Sequence, residues 1–259
     1  MSSTRPPAVA GAFYPDDPAG LNQQLDAFLS PLPVATPHSA PRALIVPHAG
    51  YVYSGAIAAH AFAYLAQTRY QRIWLLGPAH RVALRGIAAP SWAEFNTPLG
   101  PVPLDRHCLE RLIRCPHVTV CDPAHQLEHC LEVQLPFLQR LLPGTPIVPL
   151  VVGQIAPAEL EQLLTEQVEP DDLLIISTDL SHFHAQTEAL QRDGETVRRI
   201  LKFDAGLNGD DACGAYPLNG ALRWAQHQGL SIHKVAQDTS ARVNHDHQQV
   251  VGYAAFVLQ

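Results

Sequence analysis

The chain has no surplus of positive charge. Lys and Arg total 17 against 24 Asp and Glu, a net charge of -7. Basic residues never cluster beyond pairs such as Arg198 and Arg199. Phosphate backbones and anionic bilayers are gripped by basic patches, so no nucleic acid and no membrane is expected as a partner. No apolar run approaches the roughly 20 residues of a membrane span. The opening "MSSTRPPAVAG" lacks the apolar core of a signal peptide, and a cytoplasmic location is expected. There is no CxxC pair, no GxSxG elbow, no Walker A loop and no GxGxxG, which argues against thioredoxin-like, serine-hydrolase, NTPase and dinucleotide-binding readings. The five cysteines are odd in number and are expected as free thiols. No repeat and no linker divides the 259 residues, so one domain over residues 1–259 is expected. Hydrophobic residues make up 47% and charged residues 16%, enough apolar content for a sizeable core.

Histidine is plentiful, at fourteen residues. Three of them stand just past short apolar runs, in "ALIVPHAGYVYSG" (43–55), "IWLLGPAH" (73–80) and "LLIISTDLSH" (173–182). Each run is short and β-rich, and the histidine follows where the chain turns. Strands are expected at 43–46, 73–76, 147–152, 173–177, 232–236 and 250–257, with hairpin-like strands between 86 and 104. Helical spacing predicts helices over 21–29, 56–66, 104–113, 125–142 (kinked at Pro136), 157–168, 188–203 and 217–228. The proline-rich stretch 30–41 is expected as a loop. Strands alternating with helices predict an α/β fold, a central mostly parallel or mixed sheet with helices on both faces. Such sheets bind ligands beyond the carboxyl ends of their strands, where His48, His80 and His182 fall.

A neutral imidazole is a ligand for Fe, Zn or Cu, although any one of these histidines could equally be a loop residue bonded to backbone. Asp179, three residues before His182, suits either orienting a histidine or capping a following helix. On the expected helix 125–142, His125, His129 and Glu132 fall at spacings of four and three and can share a face. The order differs from HExxH, and a solvated face is the plainer reading. Cys213, in "DDACGAYPLNG", precedes a helix whose N-terminus would lower the thiol pKa. The remaining cysteines read as core or helix residues.

Six stretches together resemble the MEMO family, whose fold is similar to that of the class III extradiol (LigB-like) non-haem iron dioxygenases. They are "RPPAVAGAFYP" (5–15), "VPHAGYVYSG" (46–55), "LLGPAH" (75–80), "EHCLEVQLPFL" (128–138), "STDLSHF" (177–183) and "CGAYPLNGAL" (213–222). They occur in order and span nearly the whole chain. The resemblance implies a LigB-like fold and a metal site of His48, His80 and Cys213 holding Fe(II) or Cu(I/II), with Zn an alternative. It implies that His182 and Asp179 act as the acid/base pair or support the ligands from behind, and that His129, Glu132 and Tyr51 support the ligands or contact substrate. Cys213 stands where the dioxygenases carry a carboxylate, and a thiolate is the softer ligand, favouring Cu(I) or Zn. The expected function is that of a metal-binding, dioxygenase-like redox protein acting on a small molecule. The alternatives are a non-catalytic peptide-binding module on the same fold and a copper-sequestering protein. The resemblance also implies a functional link to a radical-SAM protein.

Overall fold

The computed structural model describes residues 3–32 and 40–259, so the loop expected over 30–41 lies largely outside the described residues. In chain order the elements begin with β1 (Thr4–Arg5), α1 (Pro18–Leu29), β2 (Ala43–Val46), α2 (Tyr51–Phe62), β3 (Ile73–Pro78) and β4 (Ile87–Ala89). Next come β5 (Glu94–Thr97), β6 (Gly100–Pro103), α3 (Arg106–Leu112), β7 (Val118–Val120), α4 (Asp122–Gln126) and α5 (Leu135–Leu141). The chain continues through β8 (Ile147–Val152), α6 (Pro157–Gln167), β9 (Leu173–Ser177), β10 (His182–His184) and α7 (Gln186–Leu201). It ends with α8 (Ala215–His227), β11 (Ile232–Thr239), α9 (Ala241–Asn244) and β12 (Val250–Leu258).

The main sheet is mixed, in the order β10-β12-β2-β9-β3-β8-β4-β7, with β11 on the free edge of β12. Its centre is parallel: β2 pairs with β9, β9 with β3, and β3 with β8. These four strands are buried along their whole length, which is why they read as unbroken apolar runs rather than alternating ones. The path β2–α2–β3 moves two places across the sheet, and β8–α6–β9 moves two places back. Right-handed crossovers in opposite directions put α2 and α6 on opposite faces, which gives the three-layer arrangement. A smaller sheet, β1-β5-β6, packs the N-terminal segment against the body. Among the described residues no helix is long and apolar enough to cross a membrane.

The structure departs from the expected elements in several places. The helix over 125–142 does not form as one piece. It divides into α4, a turn, a short 3-10 segment Glu132–Gln134, and α5. Two buried side chains take over the backbone groups that a continuous helix would use. Arg5 binds the carbonyls of His125 and Glu128, and the Glu128 carboxylate accepts the N–H groups of His129 and Cys130. Pro136 therefore sits in the first turn of α5, where its missing N–H costs nothing, and produces no kink. Helix α2 starts at Tyr51 rather than after Gly55. Gly55 lies inside it, and glycine is needed there because a Cβ would fall 2.5 Å from the Phe28 ring. Asp179 caps no helix, since β10 separates it from α7.

Candidate metal centre

Strands β2 and β3 flank β9, so their ends lie roughly 10 Å apart across one intervening strand. Each runs on by two residues beyond its last strand position, through Pro47 to His48 and through Ala79 to His80. The two rings meet edge to face with centroids 5.1 Å apart. Cys213, on the approach to α8, completes the group. The ligating atoms of His48, His80 and Cys213 all lie within 4.8 Å of one another, and Cys213 Sγ is 3.3 Å from His48 Nε2. Donors held about 2.0–2.3 Å from a tetrahedral ion are roughly 3.5 Å apart, so this spacing fits a single ion.

Hydrogen bonds leave the right nitrogen free on both histidines. Ser177 Oγ donates its one hydrogen to the Cys130 carbonyl at 2.6 Å and accepts from Gln134 Nε2. Its contact with His48 Nδ1 at 3.0 Å must therefore use a proton on the imidazole, which leaves Nε2 bare towards Cys213. His80 repeats the arrangement. Its Nδ1 lies 2.9 Å from Glu128 Oε1, and its backbone N–H donates to Oε2 at 2.7 Å. Burial opposes ionisation of Glu128, but the bonds and charge of His80, joined by the Cys130 amide, outweigh it and hold the pKa down at about 2. A carboxylate behind a histidine fixes its tautomer and orients it towards a metal. Burial, reinforced by His80, lowers the His48 pKa to about 3, so the ring is neutral and able to ligate.

Cys213 departs from the sequence expectation. Burial, and after it the charge of Asp179, pushes its thiol up to about 12 rather than down. No helix terminus overcomes that burial, so the thiol is a poor free nucleophile and becomes a thiolate only against a cation. Its sulfur accepts the Asp179 N–H at 3.3 Å, and Thr178 Oγ1, whose hydrogen goes to the Asp179 carbonyl, lies 3.7 Å away. His129 faces the same space, stacked on His80 at 4.8 Å and 5.3 Å from the His48 ring. Its buried Nδ1 lies 3.3 Å from Glu128 Oε1 without hydrogen-bond geometry and so has no partner.

The family model described as Memo-like protein matches residues 5–257. A MEMO1 family protein from Sulfurisphaera tokodaii is 33% identical to this chain, covering 96% of it and 97% of the relative. One from Sulfolobus acidocaldarius is 32% identical over the same shares. The chain belongs to the Memo-like family. A crystal structure of the uncharacterised protein JW3007 from Escherichia coli K12 shares the fold, with TM-score 0.55 at 14% identity, over 83% of this chain and 98% of that one.

Within this Memo-like chain the remaining expected residues separate. Asp179 is close to the centre: its Oδ1 accepts the His48 N–H at 2.8 Å, and its Oδ2 stands 3.9 Å from His48 Nε2. Burial raises its pKa. His182 lies on β10, half-buried, outside the three-ligand group but near enough for its charge to act on both His48 and Asp179. Glu132 is not brought to the centre. Its carboxylate is fully engaged by Arg5 Nη1, the N–H groups of Ala8 and Val9, and the Tyr14 hydroxyl. Tyr51 is buried among Phe137, Tyr14 and Phe28, and its hydroxyl donates to the Val133 carbonyl. His125 is likewise buried, with Nε2 on the Ala88 carbonyl. Sequence reasoning missed the supporting role of Glu128 and the parts played by Ser177, Gln134 and Arg5. Only Glu128 had a visible cue, its place directly before His129.

Proposed function

We propose that this Memo-like protein is a metal-binding, dioxygenase-like protein in which His48, His80 and Cys213 hold one Fe or Cu ion and a small molecule is the substrate. One observation carries the reading. Three ligand atoms converge within 4.8 Å, and each imidazole spends its other nitrogen on a fixed buried acceptor. A bound ion would supply Lewis-acid or one-electron chemistry to a molecule beside it. The chain's own residues do the rest. Ser177 and Glu128 hold the two rings in place, while Asp179 anchors the His48 backbone. His182, beside this group, is suited to accept a proton from an acidic hydroxyl of the bound molecule. A cleft of about 670 Å³ runs from Pro78 and Ala79 past Tyr216 to Cys213, so the thiol end of the site is open to small molecules. The soft thiolate with two imidazoles also suits Cu(I) storage, but a storage site has no need of that cleft.

The test is elemental analysis of protein purified without chelator or affinity-tag metal, beside Cys213→Ser. Near-stoichiometric Fe or Cu in the wild type and its loss in the variant is the expected result. A protein that also refuses added Fe(II), Cu(I) and Zn(II) under reducing conditions would overturn the reading. Oxygen consumption with dihydroxybenzenes then separates turnover from storage.

A further inference from the structure

The segment from Thr178 to His182 carries both Asp179 and His182, and its backbone is tied down group by group. The Thr178 N–H donates to the Val46 carbonyl at 2.8 Å, and the Asp179 N–H to Cys213 Sγ at 3.3 Å. Leu180 donates to the Gly252 carbonyl, and the Gly252 N–H returns a bond to the Ser181 carbonyl, each at 2.9 Å. The Ser181 N–H leaves the sheet. It donates to Oδ1 of Asp193, on α7, at 3.0 Å.

Asp193 is 1% exposed and has no ion pair among the described residues. Its Oδ2 has no hydrogen-bond partner, although the Ser181 hydroxyl is close enough to act on the carboxyl from outside hydrogen-bond geometry. Gly252 makes the room, since a Cβ there would stand 1.9 Å from Oδ2. Burying a carboxylate without a cation is costly. An apolar side chain would fill the same space without that cost, so what Asp193 supplies is the acceptor for Ser181.

Just past His182 the backbone is strained. Phe183 holds φ +61° and is 70% exposed. It is the extra residue of a bulge, because His182 pairs with Val251 and His184 with Val250. For a bulky side chain this conformation costs roughly 1 kcal/mol or more, and it persists only where the surroundings impose it. Bulges re-aim the side chains beside them. Here the chain is held on both sides of the bulge, by Asp193 through Ser181 and by the His247 carbonyl through the Gln186 N–H at 3.0 Å.

We propose that Asp193 is a positioning residue for His182: its carboxylate holds the Ser181 N–H, and this grip maintains the bulge at Phe183 and fixes where the His182 imidazole stands. What the imidazole is positioned for rests on the role proposed for it above, but the grip itself needs neither ion nor substrate.

NMR of the full chain without metal reads the amide and the ring separately. In the wild type the Ser181 amide is expected to exchange with solvent at least about 100-fold more slowly than an unprotected one. Asp193→Ala and Asp193→Leu remove the acceptor. Each should lose most of that protection and broaden or double the His182 ring signals, which are assigned with His182→Gln. Asp193→Asn keeps an acceptor oxygen and should restore both. Gly252→Ala, which crowds the carboxylate off its seat, should act like Asp193→Leu, and it decides the matter with the wild-type exchange rate if Asp193→Ala does not fold. Fast exchange at Ser181 in the wild type would overturn the proposal. So would unchanged His182 signals in a folded, acceptor-less variant, even one with a lowered Tm, or an Asn variant as disturbed as the Ala variant. Metal uptake is measured on the same samples. Asp193-dependent His182 signals in a protein that takes up no metal would keep the grip and remove the role given to His182. Normal uptake with His182 signals indifferent to Asp193 would do the reverse.

Discussion

At the scale of single residues, the candidate centre is shaped by the atoms behind His48 and His80 as much as by the two imidazoles themselves. Glu128 is the clearest case. Its carboxylate binds the His80 ring and the N–H groups of His80, His129 and Cys130 while almost wholly buried. Glu128→Gln keeps the shape but loses the charge and one acceptor, so His80 is held less firmly and ligates less strongly. Metal affinity should fall about 10- to 100-fold, measured by competition with a chelator of known affinity. An unchanged affinity would contradict this supporting role of the Glu128 carboxylate. The placement of His48 and His80 just past apolar strands was readable beforehand, and the structure brings the two rings together there. The role of Glu128 was not readable. A helical spacing rule pairs His129 with Glu132, whereas the backbone leaves the helix between them and turns the two carboxylates to different partners.

At the scale of elements, one ion pair organises the stretch from α4 to α5. Arg5 and Glu132 are side chains exposed to 1% and 0%, joined at 2.8 Å. Arg5 also binds the carbonyls of His125 and Glu128, at the two ends of the turn that carries the supporting carboxylate. Such a pair adds little over an apolar replacement when both members are exchanged, but losing one member strands a buried charge. Arg5→Met should therefore cost about 3–5 kcal/mol in denaturant unfolding. Arg5→Met with Glu132→Gln should recover part of that loss, because the stranded charge is gone. A single variant that unfolds at the wild-type midpoint would contradict the clamp. Sequence reading could not see this contact, since its partners lie more than 120 positions apart, at |i−j| of 127 for Arg5 and Glu132. The central strands were legible for the opposite reason. Burial on both faces leaves β2, β3, β8 and β9 almost purely apolar, a local signal that needs no knowledge of partners.

At the scale of the whole molecule, the three candidate ligands come from distant parts of the chain. His48 follows β2, His80 follows β3, and Cys213 precedes α8, 165 positions from His48. They meet only because the sheet places β2, β9 and β3 side by side and α8 packs against β3 and β9. An unfolded chain holds no such arrangement, so an ion that binds the folded state draws the folding equilibrium towards it. At a free metal concentration of about 100 times Kd the linkage contributes about 2.7 kcal/mol, which for a domain of this size raises Tm by roughly 5–10 °C. The rise should grow with metal concentration and disappear in Cys213→Ser. That variant should itself melt close to the metal-free wild type, because the thiol it replaces makes only weak contacts at 3.3 Å and beyond. Scanning calorimetry of both proteins, each metal-free and with increasing Zn(II) or Cu(I) under reducing conditions, reads all of these quantities. A metal-dependent rise of the same size in both would place the ion somewhere other than between the ends of β2 and β3.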